Sequence, residues 1–140
     1  MKIEFTSSPD QKDIDYITQR ILQETPNYGE DSSPFAFYVR DNDGKIIAGV
    51  NGYIVYGEIY TDQLWVHPLF RKKGVARQLM EEVHEFGRYE DCKVATVQTM
   101  CFQKALKFYE NLGYVKEFER IGQVKNSTCY FLIKDLYSKK

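Results

Sequence analysis

At 140 residues, 43% hydrophobic and a formal net charge of −1, the chain suits one domain with a packed core and is short for two; a single domain over residues 1–140 is expected. No stretch approaches the ~18 continuous apolar residues of a membrane-crossing helix, and the opening MKIEFTSSPDQ lacks the apolar centre of a signal peptide, so a soluble cytoplasmic protein without a membrane partner is expected. The small total charge hides two unlike halves: five Lys/Arg against eleven Asp/Glu up to His67, a formal −6, then fourteen against nine, a formal +5. Chance produces such a split, and so does a pair of unlike ligands, an anion held by the second half and a cation met by the first.

In KIEFTS, Ile3 and Phe5 alternate with polar residues, which predicts a short strand. Ser8 then caps a helix with Pro9 at its first position and Ile14, Ile17 and Ile21 as its buried stripe. Pro26 ends that helix, and NYGEDSSP is a loop long enough to cover a site. Two strands, FAFYVRD and KIIAGVNGYIVY, meet at Asp43-Gly44, a hairpin signal because both residue types tolerate positive φ. A third strand, Glu58 to Val66, stops at His67-Pro68. The next helix sets Val75, Leu79 and Val83 on one stripe flanked by Ala76, Met80 and Phe86, with Gly87 suited to its stop. KVATVQT predicts a strand, FQKALKFYENLG a second amphipathic helix, and YVKEFERI and STCYFLIKDL two closing strands. The class is α+β: a mixed, mostly antiparallel sheet flanked by helices, with a parallel crossover from Glu58 to Thr99.

Between the third strand and its helix, LWVHPLFRKKGVARQL joins an apolar run to a helix start through Arg71, Lys72, Lys73 and Gly74. Such a start presents unpaired backbone N–H groups and the positive end of the helix dipole. Gly74 and the small Ala76 admit an anion close to the backbone, and Arg71, Lys72, Lys73 and Arg77 add charge, so a diphosphate is the natural guest. The pattern lacks the Gly-Lys-Ser/Thr of a nucleotide P-loop and the three spaced glycines of a dinucleotide fold. One basic triplet in a chain of net −1 is also narrow for nucleic acid; no nucleic-acid partner is expected. The three cysteines, Cys92, Cys101 and Cys129, have neither zinc spacing nor disulfide density; no metal is expected.

The same stretch, Leu64 to Met80, resembles the central motif of the GCN5-related N-acetyltransferase (GNAT) family, Arg/Gln-x-x-Gly-x-Gly/Ala after an apolar strand end. ALKFYENLGY, Ala105 to Tyr114, resembles the family's second signature. The resemblance covers most of the chain and implies the acyl-CoA N-acyltransferase fold, with acetyl-CoA as co-substrate and an amine as acceptor. It implies that the backbone of Arg71, Lys72, Lys73, Gly74, Val75 and Ala76 cradles the pyrophosphate. Leu64, Trp65 and Val66 would pair with the pantetheine arm along a splayed sheet edge. The family often has an asparagine where this chain has Phe102, so that contact to the arm is lost or replaced by ring packing.

Acetyl transfer to an amine needs a neutral nucleophile, a donor to the oxyanion and a proton for the leaving thiolate. The resemblance makes Tyr109 the general acid; by spacing alone, Leu106, Tyr109 and Leu112 equally suit a core stripe. A backbone N–H near Trp65 or Val66 would meet the oxyanion. For the base, Glu58 comes first and Asp62 second, since an uninterrupted strand puts both on one face with Tyr60 and Leu64, whereas a bulge would change that parity. His67 before the proline, His84 on a helix flank and Cys101 near a helix start suit structural duties. The acidic first half favours a cationic acceptor: a small molecule, a lysine side chain or an N-terminal amine. The rival reading is a non-catalytic acyl-CoA-binding or sensing domain. A homodimer is common in the family, and STCYFLIKDL suits either pairing across a two-fold axis or a buried strand.

Overall fold

The computed structural model describes residues 1–25, 32–122 and 124–137, and the chain divides into two compact units, Met1–Asp31 and Ser32–Lys140. In the first unit, helix α1 spans Gln11–Glu24, and its cap is Asp10, not Ser8. The Asp10 carboxylate accepts from the Lys12 N–H at 2.9 Å, which a shorter serine hydroxyl two residues earlier does not reach. Residues 1–6 form no strand: alternation of Ile3 and Phe5 supplies a face but no pairing partner. Most of the loop expected after Pro26 lies outside the described residues, and Ser33 and Pro34 already belong to a strand.

The second unit is a six-stranded sheet with helices, of the expected class. Its strands are β1 (Ser33–Arg40), β2 (Ile46–Val55), β3 (Glu58–Val66), β4 (Val94–Met100), β5 (Val115–Ile121) and β6 (Thr128–Asp135), with helices α2 (Val75–Tyr89) and α3 (Leu106–Asn111). The spatial order is β1-β2-β3-β4-β6-β5, and among the described residues β3 with β4 is the one parallel pair. The crossover through α2 dictates that direction, because a strand returning after a helix re-enters from the same end. Val50, Ile59, Met80, Val83, Ala95, Leu132 and Leu136 are almost fully buried and join sheet to helix, the larger ones each contributing about 1.5–3 kcal/mol.

Three local departures from the expected elements have clear causes. Gly87 does not stop α2; a side-chain carbon there would lie 2.9 Å from Ile59 Cγ2 and 3.0 Å from Leu136 Cδ1, so its smallness lets the helix sit close to the sheet. The predicted helix from Phe102 is broken into a 3₁₀ turn, Cys101–Gln103, and the short α3, because Lys104 adopts left-handed backbone at φ 56°. Third, β6 runs between β4 and β5, so both its edges are paired and it cannot join a second copy by strand pairing. The outer edge belongs to β5, whose residues are all exposed; Phe118 stacks on Phe131 at 4.2 Å.

Two features of β3 shape the cavities beside it. Asn51 pairs with Gln63 but Gly52 with Thr61, so Asp62 is an extra residue, a β-bulge. A side chain on Gly52 would overlap the Tyr60 carbonyl oxygen; the bulge fits there because position 52 has none. Immediately past the bulge the sheet opens. β3 pairs with β4 only from Glu58–Thr61 against Val94–Val97, and the last five residues of β3 diverge from the end of β4. This is the splayed edge that the resemblance implied.

Candidate active site

At the start of α2, where the sequence reading expects an anion, the backbone turns sharply and leaves N–H groups unpaired. Gly74 caps α2 with left-handed backbone at φ 82°, a conformation that costs a residue with Cβ about 1–2 kcal/mol. The first intrahelical bond runs from Gln78 N to Gly74 O at 3.0 Å, which leaves the N–H groups of Val75, Ala76 and Arg77 without acceptors among the described residues. Lys72 is also left-handed at φ 63°, and such turns gather consecutive N–H groups into an anion-binding concavity. A cavity of about 550 Å³ opens over this loop. Arg71, Lys72, Gly74, Val75, Ala76 and Arg77 border it on one side and Leu64, Trp65 and Val66 on another, with Ala105, Phe108 and Tyr109 from the second signature facing them. Lys73 does not border it; its ammonium lies 5.7 Å from the Phe70 ring centroid.

The gap between β3 and β4 supplies the second half of a groove. His67 N donates to Ile47 O at 2.8 Å, toward β2. Strand alternation therefore turns the main-chain groups of Val66 and Leu64 the other way, into the gap, while those of Trp65 face β2. Arg71 Nε donates to Val66 O at 2.7 Å, pinning the strand end beside the cradle and leaving Val66 N–H facing the opening. A second cavity, about 750 Å³, occupies the gap on the bulge side; Asp62, Gln63, Val97, Gln98 and Thr99 border it. Leu64, Trp65, Arg71, Gln103, Ala105 and Tyr109 border both cavities.

Tyr109 stands at that junction. The residue is 5% exposed, with its ring edge-on to Tyr114 at 5.5 Å, yet its hydroxyl has no hydrogen-bond partner among the described residues. Burial, reinforced by nearby Tyr60, pushes its pKa up to about 12, so the hydroxyl stays protonated and can donate. The ring is part of the core, as the helical spacing suggested, and the hydroxyl is not tied off.

The bulge falls at the second of the two carboxylates, Asp62. Before it, Ile59 and Thr61 point into the core; after it, Val66 does, a switch of parity that an uninterrupted strand would not make. Glu58 borders neither cavity, and its Oε1 accepts from Thr96 Oγ1 at 3.0 Å. Asp62 borders the gap cavity together with Tyr109. Phe102 is 60% exposed and borders neither cavity. The neighbouring Gln103 borders both, and its Oε1 accepts from Met100 N at 2.7 Å and Thr99 Oγ1 at 3.3 Å. Sequence reading missed Gln103 because the expected helix put positions 102 and 103 on an unbroken turn.

The remaining candidates have structural partners. His67 Nδ1 accepts from Leu69 N at 3.1 Å, capping the turn before the cradle. His84 is buried rather than on a flank, its Nε2 2.8 Å from Tyr114 Oη. Cys101 is exposed and its sulfur accepts from Thr128 N at 3.3 Å.

A family model described as the acetyltransferase (GNAT) domain matches residues 33–116, more than half the chain and every element from β1 to the start of β5. The chain belongs to the GNAT acetyltransferase family. An acetyltransferase of Agrobacterium fabrum is 30% identical over 90 residues, covering 64% of this chain and 65% of that protein, so the match spans just under two thirds of that relative. A solved acetyltransferase from Agrobacterium tumefaciens is similar in fold, with a TM-score of 0.81 at 23% identity over 96% of this chain and 99% of that one. The fold is also similar to that of a Bacillus anthracis protein assigned as a streptothricin acetyltransferase and solved in complex with acetyl coenzyme A. That likeness has a TM-score of 0.67 at 16% identity over 79% of this chain and 66% of the other.

Proposed function

We propose that the protein is an acetyl-CoA-dependent N-acetyltransferase that moves the acetyl group to a primary amine, of a cationic small molecule, a lysine side chain or a peptide N-terminus. The observation that carries the reading is an unpartnered phenol, Tyr109, at the junction of two cavities, one of which ends in an anion cradle. In this reading the N–H groups of Val75, Ala76 and Arg77, with Arg71 and Lys72, hold the pyrophosphate. The arm adds along Leu64 and Val66 as a strand would, its thioester reaching Tyr109. Gln103, with its oxygen engaged, presents its amide N–H₂ as a donor where the lost asparagine contact would have been. The coenzyme complex of the Bacillus anthracis protein supports acetyl-CoA as donor by likeness of fold.

The neutral amine enters from the gap cavity and its lone pair attacks the thioester carbonyl carbon. The carbonyl oxygen gains the negative charge, and Val66 N–H is oriented to meet it. As the C–S bond breaks, Tyr109 gives its proton to the leaving thiolate and the amide nitrogen loses its extra proton to water; no covalent enzyme intermediate forms. A phenol kept protonated by burial suits that donor role. Of the two carboxylates considered as base, only Asp62 borders the cavity through which the amine arrives, and there it acts on the amine as an attracting charge, not as the proton acceptor. The reading is tested by following coenzyme A release from acetyl-CoA with a panel of amines, beside donor binding by calorimetry. Turnover with at least one amine, reduced in Tyr109→Phe, is the expected result; tight donor binding with no turnover of any amine would make this a binding domain.

A further inference from the structure

The bulge does more than break a ladder. It delivers one carboxylate to a surface where two cavities meet. On the inner side Asp62 borders the gap cavity that leads to Tyr109. On the outer side it borders a shallower cavity of about 480 Å³, with Pro34, Ala36, Tyr38 and Tyr53 on β1 and β2. Tyr38, Asn51 and Asp62 belong to both, so the cavities are successive chambers of one tract. Asp62 is the only carboxylate bordering either chamber among the described residues. The ion pairs of those residues are Arg77 with Glu81 and Lys116 with Glu119, so Asp62 is unpaired, and no hydrogen bond to it is present among them.

The charges along the tract are ordered. Arg71 borders its inner end, beside the strand end to which its Nε is bonded, and Asp62 its joint with the outer chamber. A cation is repelled from the first and drawn to the second. The outer chamber adds two phenol rings, and ring faces attract cations. Tyr38 already meets one cation, since the guanidinium carbon of Arg40, which borders neither chamber, lies 5.4 Å from its centroid. Asn51, whose Nδ2 donates to Gln63 Oε1 at 2.9 Å, keeps its own oxygen available as an acceptor.

Resting on the reading of the site as an N-acetyltransferase, we propose that the acceptor is an elongated amine with a second cationic group. Asp62, which borders the outer chamber together with Tyr38 and Tyr53, anchors that second cation, while the uncharged reacting amine lies at Tyr109. Asp62 is then a specificity-determining residue, and the amine's proton leaves to water. The acceptor class is diamines, polyamines and basic side chains that carry a further positive group, in preference to simple monoamines. The polarity of the tract sets the orientation: the charged end stays outward, and the end facing the thioester is the one that reacts.

The test compares putrescine, cadaverine and spermidine with butylamine and hexylamine, by coenzyme A release and by calorimetric binding to the coenzyme A-loaded protein. The expected result is a kcat/KM for diamines about tenfold above that for monoamines, carried by KM, as one charge-assisted contact at a partly exposed site provides. Asp62→Asn should bring the ratio close to one and weaken diamine binding by a similar factor. Tyr53→Ala should weaken it about threefold. Equal kcat/KM for diamines and monoamines in the wild type would overturn the proposal. So would an Asp62→Asn protein whose kcat falls for all amines with the ratio kept, since that marks Asp62 as the proton acceptor. Diamine binding lost with Asp62→Asn in a protein that turns over no amine would support the cation site and overturn the enzymatic reading instead.

Discussion

The buried pair of His84 and Tyr114 makes stability depend on pH in a defined direction. His84 is 4% exposed, and burial, with Lys134 and Arg88 nearby, lowers its pKa from 6.5 to about 4. Glu81, Glu85, Glu110 and Asp135 border the same cavity. Because the folded pKa lies below the unfolded one, the unfolded chain takes up the proton first as pH falls. His84 therefore contributes fully above about pH 6.5, and its contribution is lost between there and about pH 4. At ~1.36 kcal/mol per unit the interval amounts to about 3 kcal/mol, or on the order of 10 °C in Tm for a chain of this size. His84→Gln keeps a polar atom for the Tyr114 hydroxyl and does not titrate. Urea unfolding of both proteins from about pH 7.5 to about pH 4 should show the wild type losing about 3 kcal/mol more than the variant. Parallel losses across the window would refute the reasoning, since they would mean that His84 is protonated at no extra cost inside the fold.

Tyr109→Phe should lower kcat about 100-fold while leaving acetyl-CoA affinity within about twofold. With the Tyr109 pKa pushed up to about 12, the wild-type pH–rate profile should show no alkaline fall belonging to this group near the ordinary ~10. A fall there that disappears in the variant would contradict the protonated-donor role. Gly74→Ala meets no atom within 4 Å, so its cost to the unliganded protein is the left-handed backbone alone, about 1–2 kcal/mol; thermal melting without and with coenzyme A separates that from any loss of donor binding. Arg71→Ala removes both the bond to Val66 O and a positive charge at the proposed phosphate site. Donor affinity should fall about tenfold, with a shallower salt dependence, and Arg71→Lys should recover only part of it, because a lysine lacks the Nε that pins the strand.

What could be read from the sequence was what is encoded locally. The junction at Gly74 and the second signature around Tyr109 are short runs in which residue type, backbone conformation and proposed role coincide, so they were legible together. The opening of the sheet was not, because it depends on where pairing between β3 and β4 ends, which involves segments more than thirty residues apart. The bulge at Asp62 was not legible for a related reason: one extra residue in β3 is compensated on another strand by a glycine at position 52. Lys104 misled in another way. A 3₁₀ turn followed by a short helix keeps enough spacing of three and four to imitate one longer helix. His84 looked like a flank residue because its partner Tyr114 is 30 positions away, and Gly87 looked like a stop because tight packing and helix termination select the same residue.

The outer strand β5 bears on how copies of the chain meet. Its free edge invites another strand, and two copies of the chain related by a two-fold axis would align it antiparallel with itself. Centred on Phe118, that alignment sets Lys116 against Arg120 and Glu117 against Glu119, like charge facing like. The register shift between Lys116 and Phe118 also interrupts the row of pairing groups. An apolar edge of this length would template further association; in the register centred on Phe118 this one resists its own duplicate, while the Phe118 ring covers Phe131 of β6. Replacing Glu119 and Arg120 with neutral β-formers would remove that safeguard, turning a strand that ends a sheet into one that can extend it.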